Sequence, residues 1–181
     1  MGSSTVRFTS FPLTSPPPQF VRQVVEAFVN GEHGISTVAL KKGLTSNAVL
    51  AALGPSLRKI GFAVELGKNK GQRIERPVFY GENGAPELRY MIDAYHAVWR
   101  CGLEVEAGRA WMGNAVYRDL IQALVMVEVD HLILAVPNGY RYLTGDRATV
   151  SRDYDNTIGV ARALWGHQRV RMPYGLTVVG Y

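Results

Sequence analysis

Cysteine is nearly missing from this 181-residue chain: Cys101 stands alone. No disulfide can form within it, and a reducing compartment is the expectation. The four histidines, His33, His96, His131 and His167, are scattered without zinc-ligand spacing, and a single thiol adds nothing towards a structural zinc site. His96, three residues past Asp93, faces away from that acid on an ideal strand. Apolar runs long enough to span a membrane are lacking, as is a basic-then-apolar leader, so the sequence predicts neither a membrane span nor secretion, and a cytoplasmic location. Internal repeats are lacking too. Neither sign of charge dominates: 20 Lys and Arg stand against 15 Asp and Glu, a net +5 with a pI near 9.5. A mildly basic balance is common and does not by itself select a nucleic-acid partner.

Apolar residues make up 47% of the chain, enough for a core, and the length suits one domain. The chemistry gathers between Leu88 and Val136. Apolar and polar residues alternate around Asp93 and again around Val105, which predicts two β-strands. The break at Trp99-Arg100-Cys101-Gly102 is short enough for a hairpin that lays them antiparallel. Glu104 and Glu106 then share one face, and Asp93 reaches that face if the register permits. A Glu-x-Glu pair on a strand is ordinarily a solvated row of charge. Here Gly102 and Gly108 bracket the strand, and the interleaved Leu103, Val105 and Ala107 are apolar. Three carboxylates on such a face call for a hard cation between them, or for full solvation.

The helical spacing of Val116, Tyr117, Leu120, Ile121, Leu124 and Val125 predicts a helix with Asn114 as its cap. The uninterrupted run from His131 to Val136 reads as a central strand buried on both faces. Strand, helix and strand in that order imply a parallel crossover joined to the antiparallel pair. Elsewhere, residues 1–15 read as an irregular arm and 16–181 as one domain. A helix capped by Ser15 is expected to end at Gly31, and residues 32–45 to form a loop or short strand. A second helix, capped by Thr45 or Ser46, is expected to break or kink at Gly54-Pro55. Phe62–Tyr80 reads as a strand pair turning at 67–71. Its Lys68, Lys70, Arg73 and Arg76 form the densest basic segment, suited to a phosphate backbone or simply to a soluble turn. A polar loop over 140–151, a helix capped by Ser151 and ending near Gly166, and a last strand over 175–181 complete the reading.

The run Ile92-Asp93, then Gly102-Leu103-Glu104-Val105-Glu106-Ala107-Gly108, resembles the PD-(D/E)XK nuclease superfamily. Within it, the run resembles the BglII/BamHI-like type II restriction endonucleases, which also depart from the usual Lys at the position of Glu106. The likeness covers about a quarter of the chain. It implies an α/β (α+β) fold with a restriction-endonuclease-like αβββαβ core, a mixed sheet flanked by helices. It also implies Mg²⁺-dependent hydrolysis of nucleic acid, double-stranded DNA above all, with Mn²⁺ as a substitute. Asp93 and Glu104 would hold the metal, helped by the Val105 carbonyl, and Glu106 would act on the attacking water. Asn47, early in a helix, would be a neighbour of the site, as would Arg109, against a scissile phosphate or neutralising the carboxylates. A homodimer is compatible with this resemblance, but the chain is short for site-specific cleavage. The alternative is a catalytically inactive nucleic-acid-binding or interaction protein that keeps the fold. A third reading is an unrelated α/β protein with a solvated acidic strand.

Overall fold

Residues 131–136 are buried without exception, and the main sheet grows outward from them. The computed structural model describes residues 4–36, 43–67, 69–108, 114–144 and 147–181. Its elements are β1 (Arg7–Phe11), α1 (Phe20–Ile35), α2 (Ser46–Lys59), β2 (Ala63–Val64), β3 (Ile74–Tyr80), β4 (Pro86–Ile92), β5 (Ala94–His96), β6 (Cys101–Val105), α3 (Ala115–Val125), β7 (His131–Val136), β8 (Tyr140–Thr144), β9 (Arg147–Ser151), α4 (Asp153–Gly166) and β10 (Gly175–Gly180). Six strands form one sheet in the order β1-β10-β7-β6-β5-β2. β7 lies parallel to both β6 and β10, while β1, β5 and β2 pair antiparallel with their neighbours. The succession α2-β2-β5-β6-α3-β7 is the expected αβββαβ core, with the β3–β4 ribbon inserted between β2 and β5.

Strand alternation divides the core in two. Ile133 and Ala135 of β7 pack with Val21, Phe28, Leu53 and Leu57 of α1 and α2. Leu132, Leu134 and Val136 pack on the other face with Val116 and Leu120 of α3 and Val160 of α4. Full burial of side chains of this size contributes roughly 1.5–3 kcal/mol each, so this layer dominates the stability of the sheet. On β6, Cys101, Leu103 and Val105 join the α1–α2 side. Gly102 and Glu104 therefore project towards α3. No helix among the described residues is long and apolar enough to cross a membrane.

Several expectations need correction. Residues 7–11, read within an irregular arm, form edge strand β1 against β10. Helix α1 starts after Gln19 with no side-chain cap, and it runs past Gly31 to Ile35. Gly31 lies against α2: a methyl group there would meet Leu53 Cδ2 at 3.0 Å, so this glycine serves helix packing and does not end the helix. Helix α2 is capped by the Thr45 side chain as expected, and it continues through Pro55. The carbonyl that Pro55 leaves unpaired belongs to exposed Ala51, where water can satisfy it. The expected pairing across 62–80 does not occur: β2 pairs with β5 and β3 with β4, in different sheets. The hairpin turn lies at 97–100, and Cys101 and Gly102 already belong to β6. The stretch read as a polar loop is the β8–β9 hairpin. Arg152, not Ser151, precedes α4, while the Ser151 hydroxyl donates to the Tyr140 carbonyl. Asn114 does stand at the start of α3, but makes no side-chain cap bond. Of the short strand expected at 35–40, Ile35 is helical, Ser36 follows the helix and the remainder lies outside the described residues.

Candidate functional site

Asp93 sits at a bend where the chain leaves the β3–β4 ribbon and enters the main sheet. The alternation from Leu88 to His96 looks continuous in sequence, yet it spans two strands in two sheets. Ala94 faces Leu103 in the β5–β6 pair, so Asp93 and Glu104 are the next facing positions. Asp93 Oδ2 accepts from the Val105 N–H at 2.8 Å, and its own carbonyl accepts from the Glu65 N–H at 2.8 Å. Glu65, which sequence reasoning missed, is thereby brought beside the acid.

The two bracketing glycines have steric causes. A side chain at Gly102 would run into Ile92, which packs over it. Gly108 has a φ of +70° and lies under the Tyr140 ring, so a Cβ there is excluded twice over. The segment after β6 is pinned on three sides. Glu106 N–H donates to the Ala135 carbonyl at 2.9 Å, and the Glu106 carbonyl accepts from the buried Tyr181 hydroxyl at 3.1 Å. Ala107 N–H donates to Ser46 Oγ at 3.0 Å, which ties this segment to the start of α2, where Asn47 stands.

Asp93 and Glu104 form part of the wall of a cleft of about 580 Å³, together with Asn47, Glu65, Asp119 and Arg118. The ribbon supplies the opposite wall with Arg73, Glu75 and Arg89, and Arg89 pairs with Glu75 at 3.7 Å. Burial pushes the Asp93 carboxyl up to about 6, against the pull of the Val105 N–H; the charges of Glu65 and Glu106 raise it further. Burial also lifts Glu104 well above the carboxylate range, followed by the charges of Asp93, Asp119 and Glu106. The Asp93 charge raises Glu104, so the pair gives up its first proton more readily than its second. Asp119 is pushed up to about 8, by burial first and by Glu106 next. These carboxyls are costly to ionise together.

The third predicted acid is engaged differently. Glu106 Oε1 accepts from Arg118 Nη2 at 2.7 Å, and Arg118 also lies 2.9 Å from Asp119 Oδ1. Arg118 neutralises the carboxylates, a role read from sequence for Arg109, which lies outside the described residues. Asn47 does line the cleft. Of the basic segment, Arg73 lines the cleft and Lys70 is exposed on a turn. Arg76 pairs with Glu128 at 3.1 Å and stacks over the Tyr95 ring. Lys68 lies outside the described residues. Arg118 and Asp119 were missed although a signal exists: Asp119 falls on the buried stripe of α3 with Val116, Leu120 and Ala123. His96 faces away from Asp93 as expected, stacked on Trp99 with Nε2 at 3.1 Å from the Ile60 carbonyl.

Among the described residues, no three His, Cys, Asp or Glu side chains are gathered as a preformed metal cage. What the cleft offers is pairs of carboxylates with backbone oxygens nearby, a donor set that suits a hard, partly hydrated cation such as Mg²⁺. No family model matches the chain, and no curated protein matches it. Among solved structures, the chain is similar to that of free BglII, with a TM-score of 0.48 and 12% sequence identity, over 98% of this chain and 79% of that one.

Proposed function

We propose that this chain hydrolyses phosphodiester bonds of nucleic acid with a divalent cation, Mg²⁺ or Mn²⁺, as a DNA endonuclease. The observation that carries the reading is the Asp93–Glu104 pair: two facing carboxyls at the wall of a cleft, each held above its ordinary range by burial and by neighbouring negative charge. Asp93 and Glu104 would hold the cation, with the Val105 carbonyl. A bound cation supplies Lewis-acid polarisation of the phosphate and an acidified water. The protein's own part is positional. The Val105 N–H orients Asp93. Glu106 acts on the attacking water, as proton acceptor or as ligand of a further cation. Asn47 and Arg73 face the space where a phosphate would sit. Lys68 and Lys70 would contact the phosphate backbone of a duplex.

A second reading, binding without catalysis, draws on one observation: the Glu106 carboxylate is bonded to Arg118 and only 14% exposed. Plasmid nicking with Mg²⁺ or Mn²⁺, with EDTA as control, separates the two. Cleavage that EDTA and Glu104→Ala both abolish, with DNA binding unchanged or tighter, supports the nuclease. DNA binding without cleavage under any of these cations would leave the binding protein.

A further inference from the structure

Among the described residues, three buried side-chain oxygens have no hydrogen-bond partner: Asp119 Oδ2, Asp153 Oδ2 and Thr157 Oγ1. Only Asp119 of these lines the cleft, and its side chain is 1% exposed. A buried carboxylate oxygen left without a donor costs the fold its desolvation. Such an oxygen needs either its own proton or a positive charge from outside the fold.

The group now beside it meets that need only in part. Arg118 reaches Glu106 Oε1 and Asp119 Oδ1 through the same nitrogen, Nη2, at 2.7 and 2.9 Å. Its Nε adds a second bond to the same Oδ1 at 2.9 Å. The guanidinium fork, which can serve both oxygens of one carboxylate, leaves Oδ2 unserved. The Arg118 side chain is 59% exposed while the two acids it touches are 14% and 1% exposed. A long, mostly solvated side chain thus spans two buried carboxylates. It can withdraw to solvent once another cation takes over the two carboxylates, whereas Glu106 is fixed through its backbone N–H and carbonyl and Asp119 through the packed stripe of α3.

We propose that Glu106 and Asp119 form a second divalent-cation position next to the Asp93–Glu104 pair, and that the Arg118 guanidinium occupies it in the cation-free protein. A compact cation takes oxygens from two or more carboxylates at once, and hard oxygens are what this corner offers. It would satisfy Oδ2 and release Arg118 towards the mouth of the cleft, where a guanidinium suits a phosphate. Two cations flanking one cleft form the clamp that in-line phosphoryl displacement uses. The inference rests on the proposed reading of Asp93 and Glu104 as the first cation position.

The test is Mn²⁺ binding to the full chain without nucleic acid, followed by calorimetry and by the loss of the free-ion electron paramagnetic resonance signal. The variants are Asp119→Asn, Arg118→Met and Glu104→Gln. The wild type is expected to bind two ions with different affinities. Asp119→Asn should keep the tighter site and lose the weaker. Arg118→Met should tighten the weaker site by about tenfold, the order expected when one competing charge is removed. Thermal unfolding in EDTA checks that the variants fold. If Asp119→Asn and Arg118→Met both titrate like wild type while Glu104→Gln loses binding, the second position is refuted and the first stands. If Glu104→Gln also titrates like wild type, or the wild type binds no Mn²⁺, the proposed function falls and takes this inference with it.

Discussion

Replacing Asp93 by asparagine should make the cation-free protein more stable, and only at neutral and alkaline pH. The fold pushes this carboxyl from 3.8 up to about 6, chiefly by burial. A carboxyl whose folded value lies above its unfolded one binds more protons in the native state between those two values. Stability therefore falls as pH rises from about 4 to about 6, and stays at the lower level above. At ~1.4 kcal/mol per unit, the charged form costs about 3 kcal/mol at pH 8 and close to nothing at pH 4. Asparagine keeps an oxygen to accept from the Val105 N–H, so the turn into β5 loses no bond. For a domain of this size, the expected rise in Tm at pH 8 is about 5–10 °C, fading as pH falls to 4. Circular dichroism melts in EDTA at pH 4, 6 and 8 measure it. Added Mg²⁺ should raise the wild-type Tm and leave the Asp93→Asn variant nearly unmoved. A gain of equal size at every pH, or a loss at pH 8, would refute the claim that the site stores electrostatic cost.

Burial pushes His131 down to about 4, so the fold holds it neutral, its Nε2 at 2.9 Å from Thr177 Oγ1. The unfolded chain then takes up the extra proton between pH 6.5 and 4, and stability falls with acidity across that window by about 3 kcal/mol. Urea unfolding of His131→Gln against wild type at pH 7 and pH 5 should show the acid-side loss reduced in the variant. Gly102→Ala would force a methyl group into Ile92 and should cost about 1–3 kcal/mol. Because Ile92 adjoins Asp93, Mn²⁺ affinity should weaken with it; isothermal titration with chemical unfolding checks both, and a neutral substitution would show that Ile92 repacks freely. If Lys68, Lys70 and Arg73 hold phosphates, neutralising them should flatten the plot of log affinity against log salt by about 0.9 for each phosphate no longer held. Fluorescence anisotropy on a labelled duplex gives the slope, and an unchanged slope would make that segment a plain soluble turn.

The parts of the fold that were legible are those where one physical demand acts on every residue of a segment. β7 is buried on both faces, so its six residues had to be apolar or, as with His131, internally bonded. The Gly-x-Glu-x-Glu-x-Gly run was legible for a reason that the structure makes concrete: two glycines are demanded by Ile92 and Tyr140, and the residues between them alternate between a core face and the cleft face. Illegible segments are those whose partner lies far away in the chain. β1 carries polar residues because it is an edge strand, and its partner β10 is some 165 residues distant. The division of the Leu88–His96 run between two sheets depends on a bend at Asp93 that alternation cannot reveal. Gly31 looked like a helix stop because a glycine in a helix is ordinarily unfavourable; only the approach of Leu53 shows why it is tolerated.

Asp119 carries the same lesson to the site. Its place among Val116, Leu120 and Ala123 puts a carboxylate on the one stripe of α3 that should be apolar. In sequence that stripe remains a convincing amphipathic pattern with one blemish. In the fold the blemish lies against Glu106, and Glu106 stands two residues beyond Glu104, which faces Asp93. Helix α3 brings Asp119 to the cleft wall and strand β6 brings Glu104 there. Asp119 Oδ2 has no hydrogen-bond partner in the fold, and the mostly solvated Arg118 meets only Oδ1. The acids therefore divide into two neighbouring pairs, Asp93–Glu104 at the facing positions next to Ala94 and Leu103 of β5 and β6, and Glu106–Asp119 bridged by the Arg118 guanidinium. On the proposed reading, a small cation would take the place of that guanidinium and would bridge the Asp93–Glu104 pair as well.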